Sequence, residues 1–111
     1  MHESHQVQHV VDEAQKMLAG RGLARASRVS LLIGEALGFD EMSVRLHWEE
    51  FVTGTALEGA ELTVCFVPAQ FKCPRCGKFF PKKGSLLSCP ACNVLGSPTD
   101  LGREFKIESI E

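Results

Sequence analysis

Two short cysteine pairs, "CPRC" at residues 73–76 and "CPAC" at 89–92, stand twelve residues apart and limit what this chain can fold into. A Cys-x-x-Cys turn delivers two sulfurs from one tight loop, and two such loops fill a tetrahedral shell of soft thiolates at ~2.3 Å. The stretch is therefore expected to fold around a zinc ion held by Cys73, Cys76, Cys89 and Cys92. Pro74 presets one backbone angle of the first loop, and Gly77 permits a left-handed residue after its second cysteine. Asn93 occupies the equivalent place in the second loop and is the next most tolerant residue there. "KFFPKKGSLL" at 78–87 reads as the connecting hairpin, with Phe79, Phe80, Leu86 and Leu87 as its small core. Four cysteines leave no open coordination position for water or substrate, so such a zinc is structural. A thioredoxin-like redox role does not explain two pairs side by side.

The rest of the chain has the balance of one soluble domain with a small satellite: 111 residues, 44% hydrophobic and 23% charged. No apolar run approaches the ~20 residues that cross a bilayer, and "MHESHQVQHV" has neither a basic leader nor an apolar signal core. A cytoplasmic protein without a membrane partner is expected. Thiols stay reduced in that compartment, which again favours a metal over disulfides. The fifth cysteine, Cys65, reads as a small buried residue inside a strand.

Charge is unevenly spread. Residues 70–99 hold Lys72, Arg75, Lys78, Lys82 and Lys83 and no acidic side chain, whereas the remainder carries seven basic and fourteen acidic groups. A zinc with four thiolates would leave about +3 on that module. The surplus makes a nucleic-acid-binding or transcription-associated zinc-ribbon protein the alternative reading. Against it, the chain as a whole is acidic, with a net charge of −2, and its aromatic residues fall where a core needs them. With no open zinc position and no nucleophile paired with a base, the chain does not read as an enzyme.

Periodicity supplies the frame. Val7, Val10, Val11, Ala14, Met17 and Leu18 form one apolar stripe of a helix over 5–20, which "AGRG" at 19–22 stops. "SRVSLLIGEA" at 27–36 reads as a strand with apolar residues of both parities, and 39–52 as a helix capped by Asp40 with Val44, Trp48, Phe51 and Val52 inward. A strand within 57–68 ends at Pro68, and Phe105 and Ile107 alternate in a last strand. The fold expected is α+β: a small mixed sheet of about three strands with two helices, plus an inserted zinc-ribbon-like module. The first two strands, joined through a helix, are expected to pair in parallel.

The other unusual stretch is "MHE" at the amino terminus. The Met1 amino nitrogen, the His2 backbone nitrogen and the His2 imidazole can chelate one ion in a plane, and Glu3 can add its amide or carboxylate. Nitrogen-rich planar sites suit Ni(II) or Cu(II). His2, His5 and His9 fall on one helical face opposite the apolar stripe, and His5 and His9 have the i, i+4 spacing able to hold a metal. His47 reads as an ordinary residue of the second helix.

Taken in order, "MHE", "RVSLLIGE" at 28–35, "GTALEGAEL" at 54–62, "CPRCG" and "CPAC" twelve residues apart, and the closing "LGREFKIESIE" resemble the hydrogenase nickel-insertion accessory protein (HypA) family. The resemblance spans nearly the whole chain. It implies a nickel metallochaperone with a nickel-binding α/β domain (1–69 with 100–111) and a zinc-binding domain (70–99). It also implies nickel held by His2 with Met1 and Glu3 around it, and zinc held by Cys73, Cys76, Cys89 and Cys92. The partners implied are a nickel-handling GTPase and the large subunit of [NiFe]-hydrogenase, with urease a second client of some members.

Overall fold

The computed structural model describes residues 2–82 and 86–111, with side chains from Glu3 onward. Helix α1 spans His2–Gly20. Its stripe of Val7, Val10, Val11, Ala14 and Leu18 is fully buried, while Met17 is half-buried at the edge. The helix stops where glycine was expected to stop it: Gly22 has φ 68°, the Leu23 amide donates to the Leu18 carbonyl at 3.0 Å, and the Gly22 amide donates to Ala19 at 3.1 Å. These are the two bonds of a Schellman cap. At the other end the helix begins three residues before the expected start. Its first turn is tied down by packing that periodicity cannot register, because the Glu3 carboxylate docks on the second helix.

That second helix, α2 (Glu41–Val52), is capped by Asp40, whose Oδ2 accepts a 3.1 Å hydrogen bond from the Ser43 amide. Val44, Trp48 and Val52 are buried, and α2 packs against α1. Phe51 is only half-buried, its ring stacked on that of His47 with centroids 6.0 Å apart. A single 3-10 turn (Glu35–Leu37) lies between β1 and α2, so the first strand ends at Gly34.

In chain order the described strands are β1 (Arg28–Gly34), β2 (Glu61–Val67), β3 (Gln70–Lys72), β4 (Phe79–Pro81), β5 (Ser97–Pro98) and β6 (Phe105–Ile110). One sheet has the order β2-β1-β6. Arg28 and Glu111 exchange both backbone hydrogen bonds, at 3.2 and 2.8 Å, so the start of β1 meets the end of β6 and the pair is antiparallel. The Glu61 amide donates to the Ser27 carbonyl at 2.9 Å, tying the residue just before β1 to the first residue of β2. Neighbouring seven-residue strands joined at their starts run parallel, and the sheet is therefore mixed, as expected for this α+β fold.

Val29, Leu31 and Ile33 are buried and Leu32 is half-buried, so β1 is covered fully on one face. One sequence expectation needs correction here. Cys65 is exposed, not buried, because the two-residue period of β2 puts it on the same face as exposed Glu61 and Thr63.

The chain divides into two compact units, one comprising Met1–Leu32, Phe39–Cys65 and Phe105–Glu111, the other Ile33–Gly38 and Phe66–Glu104. The second holds a small antiparallel sheet of order β4-β3-β5, with Phe71 opposite Phe80 in one pairing and opposite Pro98 in the other. Its core is Cys73, Phe80 and Cys89, with Phe71, Cys92 and Val94 packed on them. The expected hairpin core is therefore revised. Strand alternation turns Phe80 inward and leaves Phe79 exposed beneath the Lys72 ammonium, 5.7 Å from its ring centre, while Leu86 lies on the surface. The turn between β3 and β4 is the first cysteine loop itself, and residues 83–85, in the expected hairpin, lie outside the described residues.

Candidate metal centre

Each cysteine pair closes the end of a hairpin in the same way. The Cys73 amide donates to the Lys78 carbonyl at 2.9 Å, and the Gly77 amide donates back to the Cys73 carbonyl at 2.9 Å. The Cys89 amide donates to the Val94 carbonyl at 2.8 Å, and the Asn93 amide donates to the Cys89 carbonyl at 2.7 Å. Both loops pass through a left-handed residue at the fifth position, Gly77 with φ 76° and Asn93 with φ 56°. Asn93 is the single non-glycine residue with positive φ among the described residues, as its place in the second loop had led us to expect.

These loops bring the four cysteines together. The sulfurs of Cys73, Cys76, Cys89 and Cys92 all lie within 4.8 Å of one another, and Cys76 and Cys89 are 3.8 Å apart, Sγ to Sγ. Four thiolates ~2.3 Å from a tetrahedral zinc would be ~3.8 Å from each other. The donor set and its spacing fit such an ion. Phe80 backs the cluster, and Gly96 makes room for it, since a Cβ at that position would fall 2.4 Å from the Phe80 ring.

The sulfurs are not electrostatically equivalent. The Cys76 and Arg75 amides point at the Cys73 sulfur, each at 3.4 Å. The Cys73 thiol is lowered to about 6, chiefly by the Cys76 amide, with burial opposing and the Arg75 amide assisting. Cys92 is pushed up to about 12, first by its hydrogen bond with Cys76, then by burial and the neighbouring sulfurs. Without an ion the cluster holds back protons. A bound cation would have to displace them.

The four-cysteine cluster alone does not tell a zinc ribbon of one kind from another. The whole chain, residues 1–111, matches the family described as "HypA: Hydrogenase/urease nickel incorporation, metallochaperone, hypA". The chain belongs to the HypA family. Relatives include the hydrogenase maturation factor HypA of Caldanaerobacter subterraneus subsp. tengcongensis, 38% identical over all of this chain and 98% of that protein. The HypA of Geobacter metallireducens is 35% identical with the same coverage. The solution structure of the Ni metallochaperone HypA from Helicobacter pylori superposes with a TM-score of 0.69 at 20% identity, covering 98% of this chain and 95% of that one, which speaks for the fold. HypA is a family of metallochaperones, not of enzymes.

Elsewhere in this HypA-family chain, the amino-terminal residues singled out by sequence are only partly described. Met1 lies outside the described residues, as does the side chain of His2, the first residue of α1. Glu3 is described, and it is engaged: its Oε1 accepts a hydrogen bond from the Ser43 hydroxyl and lies 3.5 Å from His47 Nε2. The sequence reading missed both partners. Ser43 and His47 are one turn apart on α2 and flank the buried Val44 and Trp48, a position facing a neighbouring helix. That spacing was the available signal. His5 and His9 are exposed on α1, and no helix among the described residues is long and apolar enough to cross a membrane.

Proposed function

We propose that this chain is a nickel metallochaperone of the cytoplasm that binds Ni(II) at its amino terminus and delivers it during maturation of [NiFe]-hydrogenase. The observation that carries the reading is the closed cysteine cluster within a full-length HypA match. Four thiols converge on one point, so the cluster takes a resident structural zinc and offers nothing to a travelling ion. Cargo then needs a second set of donors.

His2 is that donor, with Met1 and Glu3 around it. The first N–H groups of a helix have no carbonyl in a preceding turn, and α1 starts at His2. The His2 and Glu3 amides are thereby left without helical acceptors, and each gives up its proton to solvent when its nitrogen binds the ion alongside the imidazole and the Met1 amino group. Glu3 takes part through its backbone nitrogen, since its carboxylate is held by Ser43 and His47. Amines and imidazoles both take up protons near neutrality, so mild acidification releases the ion to an acceptor.

Residues 1–69 with 100–111 form the nickel-binding domain, and 70–99 the zinc-binding domain. The zinc domain orients a basic docking surface around exposed Lys72, Arg75, Lys78 and Lys82. Its partners are the nickel-handling GTPase and the hydrogenase large subunit, not nucleic acid. Charge reversal at Lys82 and Lys83 tests the docking role: binding to both proteins weakens if the surface is used, and unchanged binding removes that role. Hydrogenase activity in cells lacking the native factor tests delivery. Restoration by the native chain but not by His2→Ala is expected, and equal restoration by both rejects delivery through His2.

A further inference from the structure

We propose that His5 and His9 form a second divalent-cation site on the exposed face of α1, separate from the amino-terminal chelate and from the cysteine cluster. Both imidazoles are exposed on a continuous helix, and their i, i+4 spacing stacks them one turn apart, about 5–6 Å between Cβ atoms. Two imidazoles at that spacing on a helix grip one borderline cation, as the two histidines of the metalloprotease helix motif do. The imidazole class of ligand suits Ni(II), Cu(II) and Zn(II).

A second observation points the same way. Glu13, one further turn along, has its Oε1 3.5 Å from His9 Nε2. Histidines that bind metals commonly keep a carboxylate on the nitrogen that does not face the ion, which fixes the orientation of the ring. Glu13 supplies that contact and leaves Nδ1 of His9 for the cation. The neighbouring Asp12, also exposed, adds negative charge to the same stretch of helix. Two protein ligands leave the remaining positions to water, so the site is weaker and more labile than a closed cage. It suits capture and release, and it holds a second ion within a few turns of the helix start.

The test uses the zinc-loaded full chain carrying His2→Ala and a histidine-free amino-terminal extension, which removes the terminal chelate. Ni(II) alone is titrated by calorimetry and by NMR of the histidine rings. One equivalent is expected to bind, broadening the His5 and His9 resonances before that of His47. His5→Ala or His9→Ala should each lower affinity about tenfold or more, because one-point attachment loses the chelate's effective concentration. Glu13→Gln should give a smaller loss. All three side chains are exposed, and circular dichroism verifies that the helix persists. Failure to bind up to millimolar Ni(II), or binding indifferent to both histidine substitutions, overturns the site. Neither result bears on the amino-terminal chelate, which this background lacks.

Discussion

Asn93 repeats the backbone conformation of Gly77: φ is 56° at one and 76° at the other, each four residues after the first cysteine of its loop. The two loops are thus copies of one device, with asparagine standing where the first copy has glycine. Asn93→Gly should keep zinc affinity, since glycine adopts this conformation without strain. Asn93→Val should cost about 1–2 kcal/mol, through the clash of a β-branched side chain in a left-handed residue. Competition for zinc against a chromophoric chelator measures both.

The revised core of the small sheet separates two adjacent phenylalanines. Phe80 is 3% exposed against Cys73 and Cys89, whereas Phe79 is 47% exposed. Phe80→Ala should destabilise the zinc-binding segment by about 3 kcal/mol, in the range for losing a buried aromatic ring. Phe79→Ala should shift it by less than about 1 kcal/mol. Denaturant unfolding of the zinc-loaded protein decides, and equal effects would restore the core expected from sequence.

Proton release on metal binding follows from the unequal sulfurs. In the metal-free fold Cys73 is lowered to about 6 and Cys92 raised to about 12. At pH 7.5, above the first value and below the second, Cys73 is already a thiolate and Cys92 still carries its proton. Zinc binding should therefore release fewer than four protons, with the Cys92 proton among them. As pH falls through 6 the Cys73 proton joins the count and apparent affinity declines. Calorimetry in buffers of different ionisation enthalpy counts the protons, and four at pH 7.5 would contradict the assignment.

Glu3 offers a test of which of its atoms matters. Its carboxylate is bonded by Ser43 and sits beside His47, while its amide heads the helix. Glu3→Gln should leave nickel affinity within about twofold, because the backbone amide is unchanged, yet lower stability by about 1 kcal/mol, because a neutral acceptor replaces the charged one beside Ser43 and His47. A large loss of nickel affinity with intact stability would make the carboxylate the ligand.

Much of this was legible in the sequence, and the reasons differ by element. The α1 stripe, the Asp40 cap, the Gly22 stop and the paired cysteine loops were readable because each is a local rule acting over a few residues. The failures were tertiary. Cys65 was misplaced because burial depends on which sheet face is covered, and strand composition does not show that. Phe79 and Phe80 could not be ranked until the β3 to β4 register was known. His47 looked ordinary because its neighbour Glu3 comes from a helix 44 residues away in sequence. The α1 start at His2 was hidden for the same reason.

Whether the amino terminus carries the cargo is tested most directly by titrating Ni(II) into zinc-loaded protein. The native chain is compared with His2→Ala and with a form extended ahead of Met1. The account predicts one tight site in the native chain, lost in both variants, with only the weaker His5 and His9 site remaining. Tight nickel binding retained by both variants would contradict it.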